Sequence, residues 1–394
     1  MKQLKKIIKK RSVFAVASRP DIFNLGETKH RRKLDQLMKL NSSLQVIDDY
    51  EEQLLEFFLI SNPLLAHDAG LKNKFGIYLK NLTSRAPLWK QGRWVHFSWL
   101  HTLVHILEEK DFFAVRTARN KLLITQSEQE KFYKAKIGIG GLSIGNSVAI
   151  ALVLQGGAKH IRLADFDRLA LSNTNRILAG VQNLGLLKVD VTARQIYEIN
   201  PYAQVEIFNE GINEKNVKKF TNGLDILVDE MDSLAIKLLL RKEARKQKIP
   251  IVMGADNGDS AIVDIERHDK KSKVAFFHGR LGNITYEQLK KLNKFETGKT
   301  IAQLIGLENH TGRMLNSLQE MGKSIVSWPQ LGGTALINGS AVAFCVRKII
   351  THQPLKNNRA IISLEQNLES DYFSKAQKQK RAKSIKAFKK IFNL

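Results

Sequence analysis

The chain has 394 residues, 43% of them hydrophobic, enough for a sizeable buried core and two or three domains. Its one cysteine, Cys345, excludes an intrachain disulfide framework and an all-cysteine zinc site, and points to a reducing, cytoplasmic compartment. The formal charge of +25 is uneven: residues 1–12 hold six bases and no acid, and residues 371–394 are lysine-rich against the single acid Asp371.

Basic ends of this kind serve as solvated tails, as RNA or DNA contacts, or as contacts with an anionic membrane surface. For the membrane reading, Ile385, Phe388 and Phe392 fall near helical spacing among lysines, as do Leu4, Ile7 and Ile8. No apolar run reaches the length of a membrane span. The stretch Val13–Ala17 is too short for the apolar core of a signal peptide, and Arg19 ends it. The expected location is cytoplasmic, peripheral at the membrane at most.

In chain order, residues 1–115 comprise the basic N-terminus and a mainly helical accessory region. Ile47–Leu59 and Leu100–Leu107 read as amphipathic helices. On the second, His101 and His105 share a face at i,i+4; with no third ligand evident, packing or surface placement is expected rather than half of a metal site. Trp89, Trp94 and Trp99 lie close together and read as a packing cluster.

From Lys136 the pattern alternates. Strands are expected at Lys136–Ile139, His160–Ala164, Val205–Phe208, Leu224–Val228, Ile251–Gly254 and Ala261–Glu266. Helices are expected at Asn146–Leu154, Leu187–Ile199, Asn213–Phe220, Leu234–Lys246 and Leu331–Ile350, with polar helices across 283–325. This order predicts an α/β fold: a Rossmann-like, mostly parallel sheet with helices on both faces. A nucleotide-binding core is expected at 116–268, a crossover region and C-terminal part at 269–370, and an appended basic tail at 371–394.

The chemistry concentrates in the core. Gly138, Gly140, Gly141 and Gly145 lie at a strand-to-helix turn, where backbone can approach phosphate and a helix N-terminus supplies N–H groups. Ser143 stands where the common dinucleotide fingerprint has its third glycine. Asp165, after the second strand, suits the ribose of either NAD or ATP. Asn173, Asn175, Arg176 and Lys188 then favour a triphosphate, because charge builds on a leaving pyrophosphate and needs cations. Asp229 and Asp232, in LVDEMD, end another strand, where a carboxylate holds Mg²⁺ beside phosphate oxygens.

Taken together, GIGGLSIG, ADFDRLALSNTNR, G-x-x-K and D-x-x-D resemble the ThiF/MoeB/HesA family of ubiquitin-activating-type adenylyltransferases over residues 116–350. The resemblance implies ATP and Mg²⁺ as cofactors. It implies Gly140 and Gly141 at the phosphates, Asp165 on the ribose, and Asn173, Arg176 and Lys188 on the phosphates, with Gly138 and Asp167 also among the cofactor-binding residues. Asp232 is the implied magnesium ligand. RTARN is similar to the family's R-x-x-R-Q element, with Asn120 in place of Gln; it implies that Arg119 reaches a partner subunit's ATP, hence a homodimer. WPQLGGTALINGSAVAF is similar to the family's late element beneath the site. The region before residue 116 and the GLS form of the glycine loop resemble a bacterial branch with an N-terminal extension.

Two departures shape the expected chemistry. The family's paired Cys-x-x-Cys zinc motifs are absent from this sequence, so no structural zinc is expected. Cys345 sits in the apolar segment AVAFCVRKI and reads as a core residue. The implied activity is adenylation of a carboxylate on a protein, peptide or small molecule, without a cysteine relay. Two alternatives stand beside it: ring closure of threonylcarbamoyl-adenosine in tRNA, and a non-catalytic ATP-binding regulator. NAD-dependent oxidoreduction is more distant. Phe277, His278 and Arg280, near the start of the crossover region, are candidates for substrate contact or for structural roles.

Overall fold

The computed structural model describes residues 17–270 and 274–392. The expectations placed on residues 1–16, Leu4, Ile7 and Ile8 among them, and on the Phe392 side chain lie outside the described residues. Packing divides the chain into two units, Met1–Ala118 and Arg119–Leu394.

The first unit contains β1 (Asp21–Phe23), α1 (Thr28–Leu40), β2 (Gln45–Asp48), α2 (Tyr50–Ser61), α3 (Leu71–Thr83), β3 (Arg93–Phe97), β4 (Thr102–Ile106) and α4 (Glu109–Thr117). It is mainly helical, but a four-stranded sheet of order β1-β3-β4-β2 forms its centre. Only the β2–β4 pairing is parallel. The helix expected over Leu100–Leu107 is instead a turn and strand β4. Its β-branched Thr102, Val104 and Ile106 suit a strand, and His101 occupies the turn at φ 55°.

His101 and His105 therefore share no helical face. His105 is fully buried between Tyr50 and Trp94, with ring centroids 4.0 and 4.3 Å away. Its Nδ1 lies 2.8 Å from Asp48 Oδ1 and its Nε2 lies 2.9 Å from the Gln91 carbonyl. The Trp94 indole N–H donates to the Trp89 carbonyl at 2.9 Å, and Phe97 meets Trp99 edge-on. Tyr50, Trp94, Phe97 and His105 pack the unit's interior, whereas Trp99 is half-buried and Trp89 is exposed, so the three tryptophans do not form one buried cluster.

In the second unit, α5 (Gln126–Lys134) starts with a capping box between Thr125 and Glu128. Then follow β5 (Lys136–Gly140), α6 (Ile144–Leu154), β6 (His160–Ala164), α7 (Lys188–Ile199), β7 (Gln204–Phe208), α8 (Val217–Thr221), β8 (Ile226–Asp229), α9 (Leu234–Gln247), β9 (Ile251–Asn257) and β10 (Ser260–Glu266). The remaining elements are α10 (Tyr286–Lys291), α11 (Lys294–Ile305), α12 (Gly312–Gln319), α13 (Gly332–Ile350), β11 (Asn358–Ser363), α14 (Leu364–Leu368) and α15 (Lys375–Phe392).

The sheet order is β11-β10-β9-β8-β5-β6-β7. Strands β5 to β9 run parallel, and β10 is antiparallel to both β9 and β11. Right-handed crossovers place α6 and α7 on one face and α9 on the other. The α9 face is sealed by Phe208, Phe220, Leu227, Met231 and Leu240. Order reverses at β5, so a crevice opens at the carboxyl ends of β5 and β8, where ligands bind in such sheets.

Helix α13 is long and apolar enough by composition to span a bilayer, against the expectation that no run would be. Half of it is buried, with Ala335, Asn338, Gly339, Val342 and Val346 inside the unit. It lies close against α6: a Cβ added at Gly339 would sit 2.8 Å from Ser147. The segment expected as an appended tail contains a docked helix. In α15, Phe388 is buried against Met314, Leu315 and Leu318 of α12, and Ile385 packs beside it.

Candidate active site

The glycine turn has two kinds of glycine. Gly141 has φ 85°, and a Cβ there would collide with the Glu230 backbone, so only glycine lets β5 and β8 come this close. Its N–H donates to the Ala164 carbonyl at 2.8 Å, while Glu230 N–H donates to the Gly140 carbonyl at 2.8 Å. Gly138, expected among the cofactor-binding residues, is a correction: it lies buried within β5, and the space a side chain would need is filled by Leu224 and Phe220. Gly140 is packed similarly, with Ile212 Cδ1 2.9 Å from where its Cβ would be.

Asp165 follows β6 and is nearly buried. Its Oδ2 accepts the Leu142 N–H at 2.7 Å and its Oδ1 accepts the Asp167 N–H at 2.8 Å. The carboxylate thus holds the glycine turn itself. Burial raises its pKa, opposed chiefly by Lys188. Each oxygen keeps a further lone pair for a hydroxyl donor. Lys188 opens α7 with its ammonium 2.7 Å from Asp167 Oδ2. Asn173 Oδ1 accepts the Ala170 N–H at 3.0 Å, which shapes the loop and leaves its NH₂ without a protein partner among the described residues.

Arg176 is oriented from three sides. Its Nε donates to Ser143 Oγ at 2.8 Å, and its Nη1 donates to Asn175 Oδ1 at 2.9 Å and to the Ser172 carbonyl at 3.2 Å. Ser143, the residue that broke the dinucleotide fingerprint, is therefore the group that ties this guanidinium to the glycine turn. Burial lowers the Arg176 pKa, while the charges of Asp232 and Asp256 oppose the shift. Asp232 is exposed just beyond β8; it feels the Arg176 charge but forms no hydrogen bond or ion pair among the described residues.

Asp229, named with Asp232 from sequence, proves different. It is fully buried, 2.5 Å from Arg241 and 3.3 Å from Lys237. Burial opposes its charge, yet these two cations hold its pKa below the ordinary value. Arg241 also contacts Glu266 at 2.7 Å and lies over the Phe277 ring at 4.1 Å. Asp229 is a foundation of the strand end and is saturated as a ligand. Phe277 is buried under that guanidinium, and Arg280 pairs with Asp264 at 3.8 Å and donates to Asn358 at 2.9 Å, so both have structural contacts. Burial lowers the pKa of His278, which sits at φ 52°.

Sequence reading missed a second polar layer. Asp256, at the end of β9, accepts from Asn338 at 2.5 Å and Gln330 at 3.3 Å, both from the late element. Burial pushes its pKa up to about 6, opposed by these donors and by Arg176. Glu230 Oε1 accepts the Gly254 N–H at 2.8 Å, and burial holds its carboxyl well above the usual range. An acid closing a parallel strand, as in MGADN, was the available signal for Asp256. Asn175 donates to the Gln330 carbonyl at 2.9 Å, joining this layer to the Arg176 loop.

Arg119 is exposed in a short turn, and no interaction of its side chain occurs among the described residues. Cys345 is buried in α13 and its thiol is pushed up to about 11 by burial, the opposite of an activated thiolate. The donor set suits the implied groups: cations at Arg176 and Lys188 for phosphate, an unpaired carboxylate at Asp232 for a hard divalent cation, and a turn that excludes any Cβ at Gly141.

Residues 117–386 match the model of the ThiF family. An uncharacterized protein of Mycobacterium tuberculosis is 35% identical over 82% of this chain and 45% of its own length. The tRNA threonylcarbamoyladenosine dehydratase of Escherichia coli is 36% identical over 29% of this chain and 43% of its own. The molybdopterin-synthase adenylyltransferase of Haemophilus influenzae is 30% identical over 32% and 53% respectively. The chain spans about half the length of the curated relatives it matches. Among solved structures, E. coli MccB with ATP is 19% identical, with 66% of this chain and 77% of that chain covered and a TM-score of 0.47. With residues 117–386 of 394 matched by its model, the chain belongs to the ThiF family.

Proposed function

We propose that this protein is an ATP-dependent adenylyltransferase that activates a carboxylate as an acyl-adenylate and releases pyrophosphate. The observation that carries the reading is the convergence of Arg176 with the glycine turn at the strand-order reversal, beside the unpaired Asp232. A carboxylate oxygen attacks the α-phosphorus; the bond to the bridging oxygen breaks, and pyrophosphate takes the electron pair. The protein contributes position and charge. Asp165 sets the turn and offers lone pairs to the ribose hydroxyls. Arg176 and Lys188 neutralise charge growing on the leaving group, with Asn173 donating nearby. Asp232 would hold Mg²⁺, which supplies Lewis-acid charge neutralisation at phosphate oxygens when bound.

The buried, high-pKa Cys345 supports transfer directly from the adenylate to an acceptor, with no thioester. Exposed Arg119 supports a homodimer in which it completes the partner's site. The test is ATP–pyrophosphate exchange with host fractions as carboxylate source. Arg176→Ala or Asp232→Ala should reduce exchange at least ~10²-fold with the fold intact; wild-type rates in both would refute the assignment.

A second reading places the carboxylate on threonylcarbamoyl-adenosine in tRNA. It is favoured by the relatives named as tRNA threonylcarbamoyladenosine dehydratases, 31% and 36% identical over the matched parts. Exchange supported by the RNA fraction alone would select it.

A further inference from the structure

We infer that α15 is a docking rail for the phosphate backbone of a folded RNA. The helix carries eight bases and no acid. It begins where Ser374 Oγ accepts the Gln377 N–H at 3.2 Å and ends with Lys389 and Lys390, whose charge suits a helix C-terminus. At 100° per residue, Lys375, Lys378, Lys383, Lys386, Lys389 and Lys390 fall within an arc of about 140°. All six are exposed, and none forms an ion pair among the described residues.

The opposite face decides what kind of surface this is. Phe388 is about 200° from Lys386 around the helix, and it is buried against α12. Ile385 packs in the same cluster, and Ser384 faces Gly312 at 3.7 Å from that glycine's ideal Cβ. Of the apolar residues that suggested a membrane anchor, Ile385 and Phe388 are thus used internally, and no large apolar side chain among the described residues lies within the lysine arc to enter lipid. What remains is a rigid cationic rail about 22 Å long. The nearest acids in sequence, Glu365, Glu369 and Asp371, lie before it; Asp371 is engaged by Gln377 Nε2 at 2.7 Å, and Glu365 feels Arg313 and Arg381. Gln379 is the one exposed amide within this lysine arc and no aromatic stands in it, so the face contacts phosphates rather than reading base edges. The choice of RNA rests on the second reading of the site, in which the carboxylate is tRNA-borne.

The experiment uses the full chain and an in vitro transcribed tRNA, with binding followed by anisotropy across a salt series. In the variant K378Q/K383Q/K386Q/K390Q, affinity should fall roughly 10²–10³-fold near physiological salt, and the slope of log K against log salt should shrink by about 3. Thermal unfolding should match wild type, because the docking face is untouched. The K378R/K383R/K386R/K390R variant should bind as wild type does. Unchanged affinity and slope in the Gln variant would overturn the inference. So would tighter binding of a duplex DNA of the same length than of the tRNA, or binding to phosphatidylserine-containing vesicles without binding to tRNA. Arg176→Ala should keep tRNA affinity while losing exchange, so failure of the adenylation reading and failure of the rail give different results.

Discussion

Asp256 shows what a single buried carboxyl contributes beside a phosphate site. Its pKa rises from 3.8 to about 6 because it is buried, with Asn338, Gln330 and Arg176 only partly compensating. The folded state therefore keeps this proton where the unfolded chain has lost it. Stability falls as pH rises from about 4 to about 6, and the loss is complete above that. Asp256→Asn should raise stability by up to about 3 kcal/mol at pH 7.5 and leave it unchanged near pH 3.5. Denaturant unfolding at both pH values checks this; equal effects at both would contradict the buried-proton account. Ser143 is the second residue whose role emerged only in three dimensions. Ser143→Ala should leave the glycine turn intact but release Arg176 Nε, lowering turnover several-fold with little change in stability. Sequence order named Asp165, Arg176, Lys188 and Asp232, because each follows a strand end at a recognisable offset. Residue order alone left Asp232 level with Asp229, three residues away, and only the family resemblance singled out Asp232; burial beside Arg241 is what marks Asp229 as a structural carboxylate.

At the scale of elements, strands β5 to β9 were legible because parallel-sheet strands are short apolar runs with helices between them, and antiparallel β10 because the turn of Gly258 and Asp259 sets off its apolar run. The register of the boundaries drifted at α8, expected from Asn213 but starting at Val217, where Asn213 and Asn216 form a hydrogen-bonded turn first. Strand β4 was misread because TLVHI fits both an apolar helix face and a strand; its partner β3 settles the matter. The docked state of α15 was invisible to composition, which registers lysines and not the surface that Phe388 meets. Phe388→Ala should cost about 3–5 kcal/mol if the helix is part of the cooperative fold. Urea unfolding checks this; a loss under about 0.5 kcal/mol would mean the helix detaches without consequence.

For the whole molecule, the two units and the excess of positive charge set the remaining questions. The accessory unit has its own sheet and aromatic core, both written in a sequence whose periodicity is weak because short strands alternate with helices. If Arg119 acts across a homodimer, Arg119→Ala and Arg176→Ala chains should each be inactive alone. Mixed after dissociation, they should recover about a quarter of wild-type exchange, since half the dimers are mixed and each has one complete site. No recovery would rule out action in trans, and wild-type exchange by Arg119→Ala alone would place Arg119 outside the reaction.

The most direct test of the adenylation reading is ATP–pyrophosphate exchange by wild type and Arg176→Ala, with purified protein freed of nucleic acid and supplied with separated RNA, protein and small-molecule fractions. The expected result is exchange that depends on one fraction and is lost in the variant. Exchange absent with every fraction, despite binding of ATP·Mg²⁺, or equal exchange in the variant, would contradict it.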